Sequence, residues 1–385
     1  MNGSYDVIVV GLGVAGSATA YQLAKRGRRV LGLDMFGRGH DQGSSHGYHR
    51  MIRRSSVQAD GYVPLGERAF ELWDELATEA GRQLLWMNGE IRIVDSDQRP
   101  NFAATAARME QGGFWEILDE AAMRERFPGI RPHDGVIYTH EATAGFLLAE
   151  DGVIAHLDLA ARHGADIRHE AEVTGWSIDG DGVRVSTALG TYTAAQLVLT
   201  TGSWAPELLR DLDLPLQVIR TVNGYFTPTR PDHWSLDSGA PDFLLDVPEG
   251  DFYGMPGIAG VGLKLGRSRL LDGPVTTART IDRTIREEEI APLRDVLDKY
   301  LPGACGPEVR RITCLEAYSG DDHFIIDRHP EHPQVLLGCG FSGRGFKFGP
   351  TTGEILADLA SDGRTRHEIG FLAATRFARR AATDS

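Results

Sequence analysis

The sequence predicts an α/β (α+β) fold in which a Rossmann-like unit is interleaved with a second, sheet-rich part. Two observations carry that expectation. A short apolar run, Asp6-Val7-Ile8-Val9-Val10, passes straight into the glycine turn Gly11-Leu12-Gly13-Val14-Ala15-Gly16. Further along, helix-like and strand-like segments alternate with no internal repeat and no low-complexity linker, so the two parts are not beads in series.

The N-terminal element is read from its spacing. Asp6 to Val10 has the β-branched, apolar character of a buried strand. Ala18 to Lys25 reads as a helix, and Arg29 to Leu33 as a second strand ending at Asp34. In a G-x-G-x-x-G turn two glycines let the backbone approach a pyrophosphate, and the third lets the helix pack on the strand. The helix N-terminus offers free N–H groups and a positive dipole to phosphate. Asp34, 23 residues after Gly11, is placed to accept hydrogen bonds from an adenosine ribose. The motif alone does not choose between FAD and NAD.

After Asp34, residues 37–47 are irregular and rich in Gly, Ser, Asp and His, and they lead to His49-Arg50-Met51-Ile52-Arg53-Arg54, a candidate anion-binding stretch. Tyr62 to Ala80 has helical spacing. Glu90-Ile-Arg-Ile-Val94 alternates as a half-buried strand, two helical segments follow, the second ending at Pro128, and Gly135 to Tyr138 is again strand-like. A helix over Leu148–His163 returns to the first part. Short strands follow at Asp166–His169, Glu172–Ile178, Val183–Thr187 and Tyr192–Ala194, then a buried strand from Leu197 ending near Thr200. Strands are expected at 216–220, 222–227, 243–246, 252–255 and 262–265, a helix over Ile281–Tyr300, and strands at 310–315, 324–327 and 335–338. A helix over Thr352–Ser361 closes the pattern. Gly338, Gly340 and Gly343 repeat the G-x-G-x-x-G spacing, but residues 364–385 offer no partner strand, so a helix N-terminus aimed at a ligand is the preferred reading. The expected boundaries are 1–84, 148–215 and 320–385 for the nucleotide-binding part, and 85–147 with 216–319 for the other.

Composition narrows the function. No stretch reaches the ~18 apolar residues of a membrane span, and the first strand begins too early to leave room for a signal peptide. Three cysteines, Cys305, Cys314 and Cys339, show neither metal-ligand spacing nor an even count for a disulfide framework. A soluble, cytoplasmic protein without a metal is expected. The net charge of −14 argues against nucleic acid or anionic membrane as partner. Only four lysines (Lys25, Lys264, Lys299 and Lys347) stand among 40 Lys and Arg residues. A chain that so favours arginine keeps lysine where a compact, deprotonatable charge is useful. Lys25 and Lys299 read as solvated; Lys264, in a small apolar strand, and Lys347, between two phenylalanines, do not.

Several motifs together carry a resemblance. They are Tyr5-Asp-Val-Ile-Val-Val-Gly, Gly43-Ser-Ser-His-Gly with Arg50-Met-Ile-Arg53, Tyr62-Val-Pro-Leu65, Gly262-Leu-Lys-Leu-Gly266, Cys314 with His323-Phe-Ile-Ile-Asp327 and His329-Pro-Glu-His332, and Gly340-Phe-Ser-Gly-Arg-Gly-Phe-Lys-Phe348. In this order, nearly end to end, the chain resembles the monomeric sarcosine oxidase and N-methyltryptophan oxidase family of D-amino-acid-oxidase-like flavoenzymes. The resemblance implies FAD, held by Gly11, Gly13, Val14, Ala15, Gly16 and Asp34, and attached covalently through Cys314. It implies Ser44, His46, Arg50, Val173, Thr200, Gly202, Trp204, Gly340, Phe341, Gly343, Arg344, Gly345, Phe346 and Lys347 as further cofactor neighbours. It implies that Lys264 activates dioxygen, that Arg53 and Lys347 grip a substrate carboxylate, and that Tyr253 lines the substrate pocket. The implied reaction oxidises the C–H bond next to an amine nitrogen, giving an imine and hydrogen peroxide, in a monomer.

Three positions depart from the family pattern: Glu316 replaces an aromatic residue, Ser268 a histidine, and Arg344 a histidine. Glu316 either meets a cationic substrate group or neutralises Arg344, and neutralisation is preferred because a buried unpaired carboxylate is costly. Tyr318 replaces the missing aromatic if the chain shifts locally. The expected function is oxidation of an N-methyl or cyclic secondary amino acid. The alternatives are a biosynthetic flavoenzyme acting on a larger amine or imine, and a non-catalytic flavin-binding module.

Overall fold

The computed structural model describes residues 4–56, 58–268 and 276–377, so the expected strandless stretch 364–385 is seen only to residue 377. Two eight-stranded sheets and a small three-stranded one organise these residues. At the centre of the first sheet Tyr5–Val10 runs parallel to Val30–Leu33 on one side and to Gly190–Leu199 on the other. Val335–Cys339 adds in parallel to the end of 190–199, and Asp166–Arg168 to Val30–Leu33. The antiparallel strands Val173–Asp179 and Gly182–Thr187 pack beside the other half of 190–199. A parallel sheet must be covered on both faces. Helices Val14–Lys25, Ala149–Arg162 and Gly349–Asp362 pack together on one face. At Gly353 an added Cβ would come within 2.6 Å of the Ala18 backbone, so this helix crossing needs a glycine.

The second sheet runs in the order 308–319, 216–226, 262–267, 250–258, 242–247, 90–95, 136–141, 116–118. All its pairings are antiparallel except that of Asp242–Val247 with Glu90–Asp95. Directly opposed residues share a face, and the register therefore sorts the functional side chains. Arg92 opposes Leu244, Leu244 opposes Tyr253, Tyr253 opposes Gly266, and Gly266 opposes Asn223. One row along, Met255 opposes Lys264 and Lys264 opposes Tyr225. Cys314 opposes Thr221 and Glu316 opposes Ile219, both an even number of residues from Asn223. Lys264, Tyr253, Cys314, Glu316 and Arg92 thus share one face, and helix Glu287–Tyr300 packs its Ile290, Leu293 and Leu297 into an apolar cluster with Phe243 and Leu265 from the other.

Several expectations need correction. The first helix begins at Val14, not Ala18, directly on the turn. The strands expected at 216–220 and 222–227 are one strand, Leu216–Phe226, and the piece expected at 192–194 continues through 199. The helix expected from Ile281 begins at Glu287, because Asp282 caps its own local turn and the Glu289 carboxylate closes back on the Arg286 N–H. Glu90–Asp95 is not half-buried: flanked by strands on both edges, it buries Glu90 and Arg92 as well as its apolar residues. Strands His49–Ile52, Glu116–Leu118 and Gly145–Leu148 are additions; the first and last pair with each other, with Leu85–Trp86 on the outer edge of Gly145–Leu148. No helix among the described residues is long and apolar enough to cross a membrane.

Candidate active site

A cavity of about 1210 Å³ runs from the glycine turn of the first sheet to the inner face of the second. That exceeds the ~300–1,000 Å³ of an ordinary small-ligand pocket, and leaves room for a dinucleotide and a second molecule.

At the first-sheet end, Gly11 has φ +85°, and the helix starting at Val14 takes no side-chain cap from Gly13 and has no acidic residue in its first turn, its Val14 N–H alone being held by Ser45 Oγ at 3.1 Å. Its N-terminal dipole is open to an anion. Gly16 stands behind the turn, where an added Cβ would lie 1.8 Å from the Gly11 carbonyl oxygen. Asp34 accepts from the Leu12 N–H at 2.7 Å and the Phe36 N–H at 2.9 Å, which fixes the carboxylate at the cavity wall with lone pairs to spare. Val173, Thr200, Gly202 and Trp204 complete this end.

In the middle, the loop before Arg50 is stitched to three other elements. Gly47 and Tyr48, both at positive φ, donate their N–H groups to the Glu150 carboxylate at 2.8 and 3.0 Å. The Gly47 carbonyl accepts from the Tyr225 hydroxyl at 2.7 Å and from Lys264 Nζ at 3.3 Å. Lys264 Nζ also donates to the His49 carbonyl at 3.0 Å. Burial, then the Arg50 guanidinium, pushes the Lys264 pKa well below the usual lysine value. Arg50 donates to the Ser44 carbonyl at 2.9 Å and lies 3.4 Å from Cys314 Sγ; the Ser44 hydroxyl bonds the Leu315 carbonyl. The Cys314 thiol is buried, and burial pushes its pKa up while Arg50 and Lys264 oppose that. Burial, Arg50 and Lys264 push His46 down to about 3, so its ring is neutral.

At the second-sheet end, Arg53 donates to Glu90 at 2.9 Å. Lys347 sits in the tight turn Phe346–Phe348, whose backbone is held by Trp73 Nε1 on the Lys347 carbonyl at 2.9 Å and by Phe346 stacked on the Trp73 ring. No hydrogen-bond acceptor for Lys347 Nζ is found among the described residues, and burial followed by Arg53 pushes its pKa well down. Tyr253 donates to Asn223 Oδ1 at 2.7 Å. The expected Glu316–Arg344 ion pair does not form. Glu316 accepts from the Tyr318 hydroxyl at 3.0 Å, Arg344 turns to the Asp322 carbonyl, and burial raises the Glu316 pKa. The chain from Cys314 to Ser319 continues as one strand, which puts Glu316 and Tyr318 side by side on its inner face.

The expected site residues line the cavity, except that Gly16, His46, Lys264, Cys314 and Gly340 lie behind its wall. The sequence reading missed Ser45, which accepts from the Val14 N–H, along with Glu90, Arg92 and Glu150. Charges alternating along Glu90–Asp95 were the available signal for two of them. Outside the cavity, Asp211, His329 and His332 bring possible ligand atoms within 4.8 Å of one another. Both ring nitrogens of His329 are already used, on Asp211 at 2.8 Å and the Glu331 N–H at 3.2 Å, so the group serves as a turn clamp.

Residues 6–359 match the family of FAD-dependent oxidoreductases. The chain belongs to that family. It is 40% identical over 384 residues to a monomeric sarcosine oxidase of Streptomyces avermitilis, covering 98% of this chain and 99% of the relative. It is 34% identical over 364 residues to an N-methyl-L-tryptophan oxidase of Salmonella dublin, covering 92% and 94%. Among solved structures it superposes on NikD, an unusual amino acid oxidase essential for nikkomycin biosynthesis, with TM-score 0.83, 26% identity and coverage of 96% and 97%. The cavity fits the cofactor of this family. The open helix N-terminus, the glycine turn and Asp34 would hold the adenosine and pyrophosphate of FAD, and the 44–50 loop with residues 341–347 would hold its ring end. As a member, the chain is an FAD-dependent oxidase acting on amine groups.

Proposed function

We propose that this enzyme oxidises secondary amino acids, N-methyl or cyclic, to imines with release of hydrogen peroxide. The observation that carries the reading is the placement of Arg53 and Lys347 together at the cavity wall, with no hydrogen-bond acceptor for Lys347 Nζ among the described residues. A substrate carboxylate supplies the acceptor that Lys347 lacks, and the planar Arg53 fork beside it fixes orientation. FAD, when bound, would supply the electron acceptor for this oxidation and the route of the electrons to dioxygen. The chain's own residues bind the acid group, shield the reacting C–H bond from water and place positive charge near the oxygen site through Lys264. Glu316, whose carboxyl holds its proton more tightly than usual, and Tyr253 bound the amine end. The sarcosine and N-methyltryptophan oxidase relatives support the N-methyl class. The cavity continues well beyond the Arg53–Lys347 pair, which favours, as the second reading, a substrate larger than N-methylglycine of the biosynthetic kind.

The first sheet with its helices forms the FAD-binding domain of this proposal, and the second sheet the substrate domain. The enzyme works as a monomer in the cytoplasm, where three unpaired cysteines are at ease. The test is anaerobic mixing with N-methyl and cyclic amino acids, followed by air. Bleaching of the flavin band and then peroxide are expected; a band that no such amine bleaches refutes the proposal.

FAD is further proposed to be linked through Cys314 Sγ, where the Arg50 guanidinium at 3.4 Å opposes the rise in thiol pKa that burial causes. Acid precipitation of the wild type should give a yellow pellet, and Cys314→Ala a white pellet with all its FAD in the supernatant. FAD released from both would remove the link.

A further inference from the structure

Beyond Arg53 and Lys347 the cavity continues along the second sheet to Arg92. Arg92 is 8% exposed, yet it lines the cavity and donates no hydrogen bond among the described residues. Its nearest carboxylates, Glu90 at 3.8 Å and Asp246 at 3.9 Å, lie within ion-pair range but beyond hydrogen-bonding distance. Its Nε is buried with no hydrogen-bond partner among the described residues. The rings of Trp115 at 5.3 Å and Phe102 at 6.0 Å pack against the guanidinium and hold it in place. A buried donor left unmade is costly, and a guanidinium is the side chain best suited to a carboxylate fork. Each neighbouring acid is shared with a second guanidinium, which weakens its repulsion of an incoming anion: Glu90 with Arg53 at 2.9 Å, and Asp246 and Asp251 with Arg99 at 3.9 and 2.5 Å.

We propose that Arg92 receives a second carboxylate, so that the preferred substrates are short-chain dicarboxylic secondary amines such as N-methylated aspartate or glutamate. The spacing supports the short chain. Glu90 lies between the two guanidiniums, one oxygen 2.9 Å from Arg53 and the other 3.8 Å from Arg92. Two carboxylates bound on those two sites are therefore separated by only a few carbons. Burial and the nearby Arg53 also push the Arg92 pKa down, which a bound anion would reverse.

The inference rests on the amine-oxidase reading, so its test has a readout that needs no turnover. Thermal shifts of the holoenzyme are compared for glutarate and succinate against propionate, and kcat/KM is compared for N-methylglutamate against N-methylalanine. Wild type should prefer the dicarboxylate in both measurements by about tenfold or more. In Arg92→Leu that preference ratio should fall about tenfold, mainly through KM, and Arg92→Lys should recover part of it. Equal affinity for the two classes in wild type, or an unchanged ratio in the leucine variant, would show that Arg92 merely neutralises Glu90 and Asp246. If the leucine variant does not fold, the wild-type ratio and the lysine variant decide. Should glutarate outbind propionate in an Arg92-dependent way while no amine bleaches the flavin, the anion site stands and the amine-oxidase reading falls.

Discussion

Lys264→Met is expected to slow the return of flavin colour on admission of air by roughly 10²–10³-fold, the usual effect of removing one preorganised charge-stabilising group. Anaerobic bleaching by substrate should change only a few-fold. Lys264 is fully buried, its Nζ fixed by the Gly47 and His49 carbonyls and lying 5.8 and 5.9 Å from the Tyr225 and Tyr253 rings. A charge held this way needs no reorganisation when negative charge develops on dioxygen, and low-dielectric surroundings magnify its effect. The same burial, with Arg50, weakens its hold on the proton. The ammonium exists below the folded-state pKa, so the oxygen rate should fall as pH rises through a value below the usual lysine range. In Lys264→Met that pH limb should vanish. The substitution also leaves the His49 carbonyl without Lys264, although Arg50 still donates to it at 3.0 Å and Tyr225 still holds Gly47. The loss in stability is therefore about 1 kcal/mol, readable as a small drop in Tm. Stopped-flow traces in which air restores the colour at the wild-type rate would remove the role.

What could be read from the sequence follows from how local each feature is. The strand, glycine turn, helix and Asp34 are contiguous, and steric rules act over a few residues, so they stood out; only the helix start slipped, to Val14. Lys264 and Lys347 were visible because an arginine-rich chain makes a retained lysine conspicuous. Arg92 was not visible. Alternation along Glu90–Asp95 describes a strand with two unlike faces, and nothing local says that the polar face meets a cavity. That follows from the pairing with Asp242–Val247, some 150 residues away, and from Phe102 and Trp115 packing over it. The Glu316–Arg344 pairing failed for the same reason. Whether the two groups meet depends on how the 341–345 turn lies against the 308–319 strand, and there Tyr318 is the nearer partner for Glu316, while the Asp322 carbonyl takes Arg344. The small sheet formed by His49–Ile52 with Gly145–Leu148 joins segments too short and too far apart for periodicity to detect.

Lys347→Met should lower kcat/KM for carboxylate-bearing amines by about 10–100-fold, the loss of one charge-assisted hydrogen bond. Most of the loss should fall in KM, because the carboxylate is held equally in the ground state and the transition state. Lys347 is a cleaner probe than Arg53. Removing Arg53 would strand Glu90, which is 2% exposed, and breaking such a buried pair costs about 3–5 kcal/mol of stability. Methionine at 347 leaves the backbone bond to Trp73 in place and strands no carboxylate, since none is within hydrogen-bonding distance of Nζ among the described residues. Wild type also carries a pH signature. Burial and Arg53 lower the Lys347 pKa in the free enzyme, whereas a bound carboxylate favours the ammonium. Binding thus takes up a proton at pH values above the free-enzyme pKa, and KM should rise with pH there. The methionine variant should bind weakly at every pH with that slope gone. A variant that keeps the wild-type KM for N-methylamino acids, or a wild-type preference for amines lacking any carboxylate, would show that Lys347 has another partner in the working enzyme.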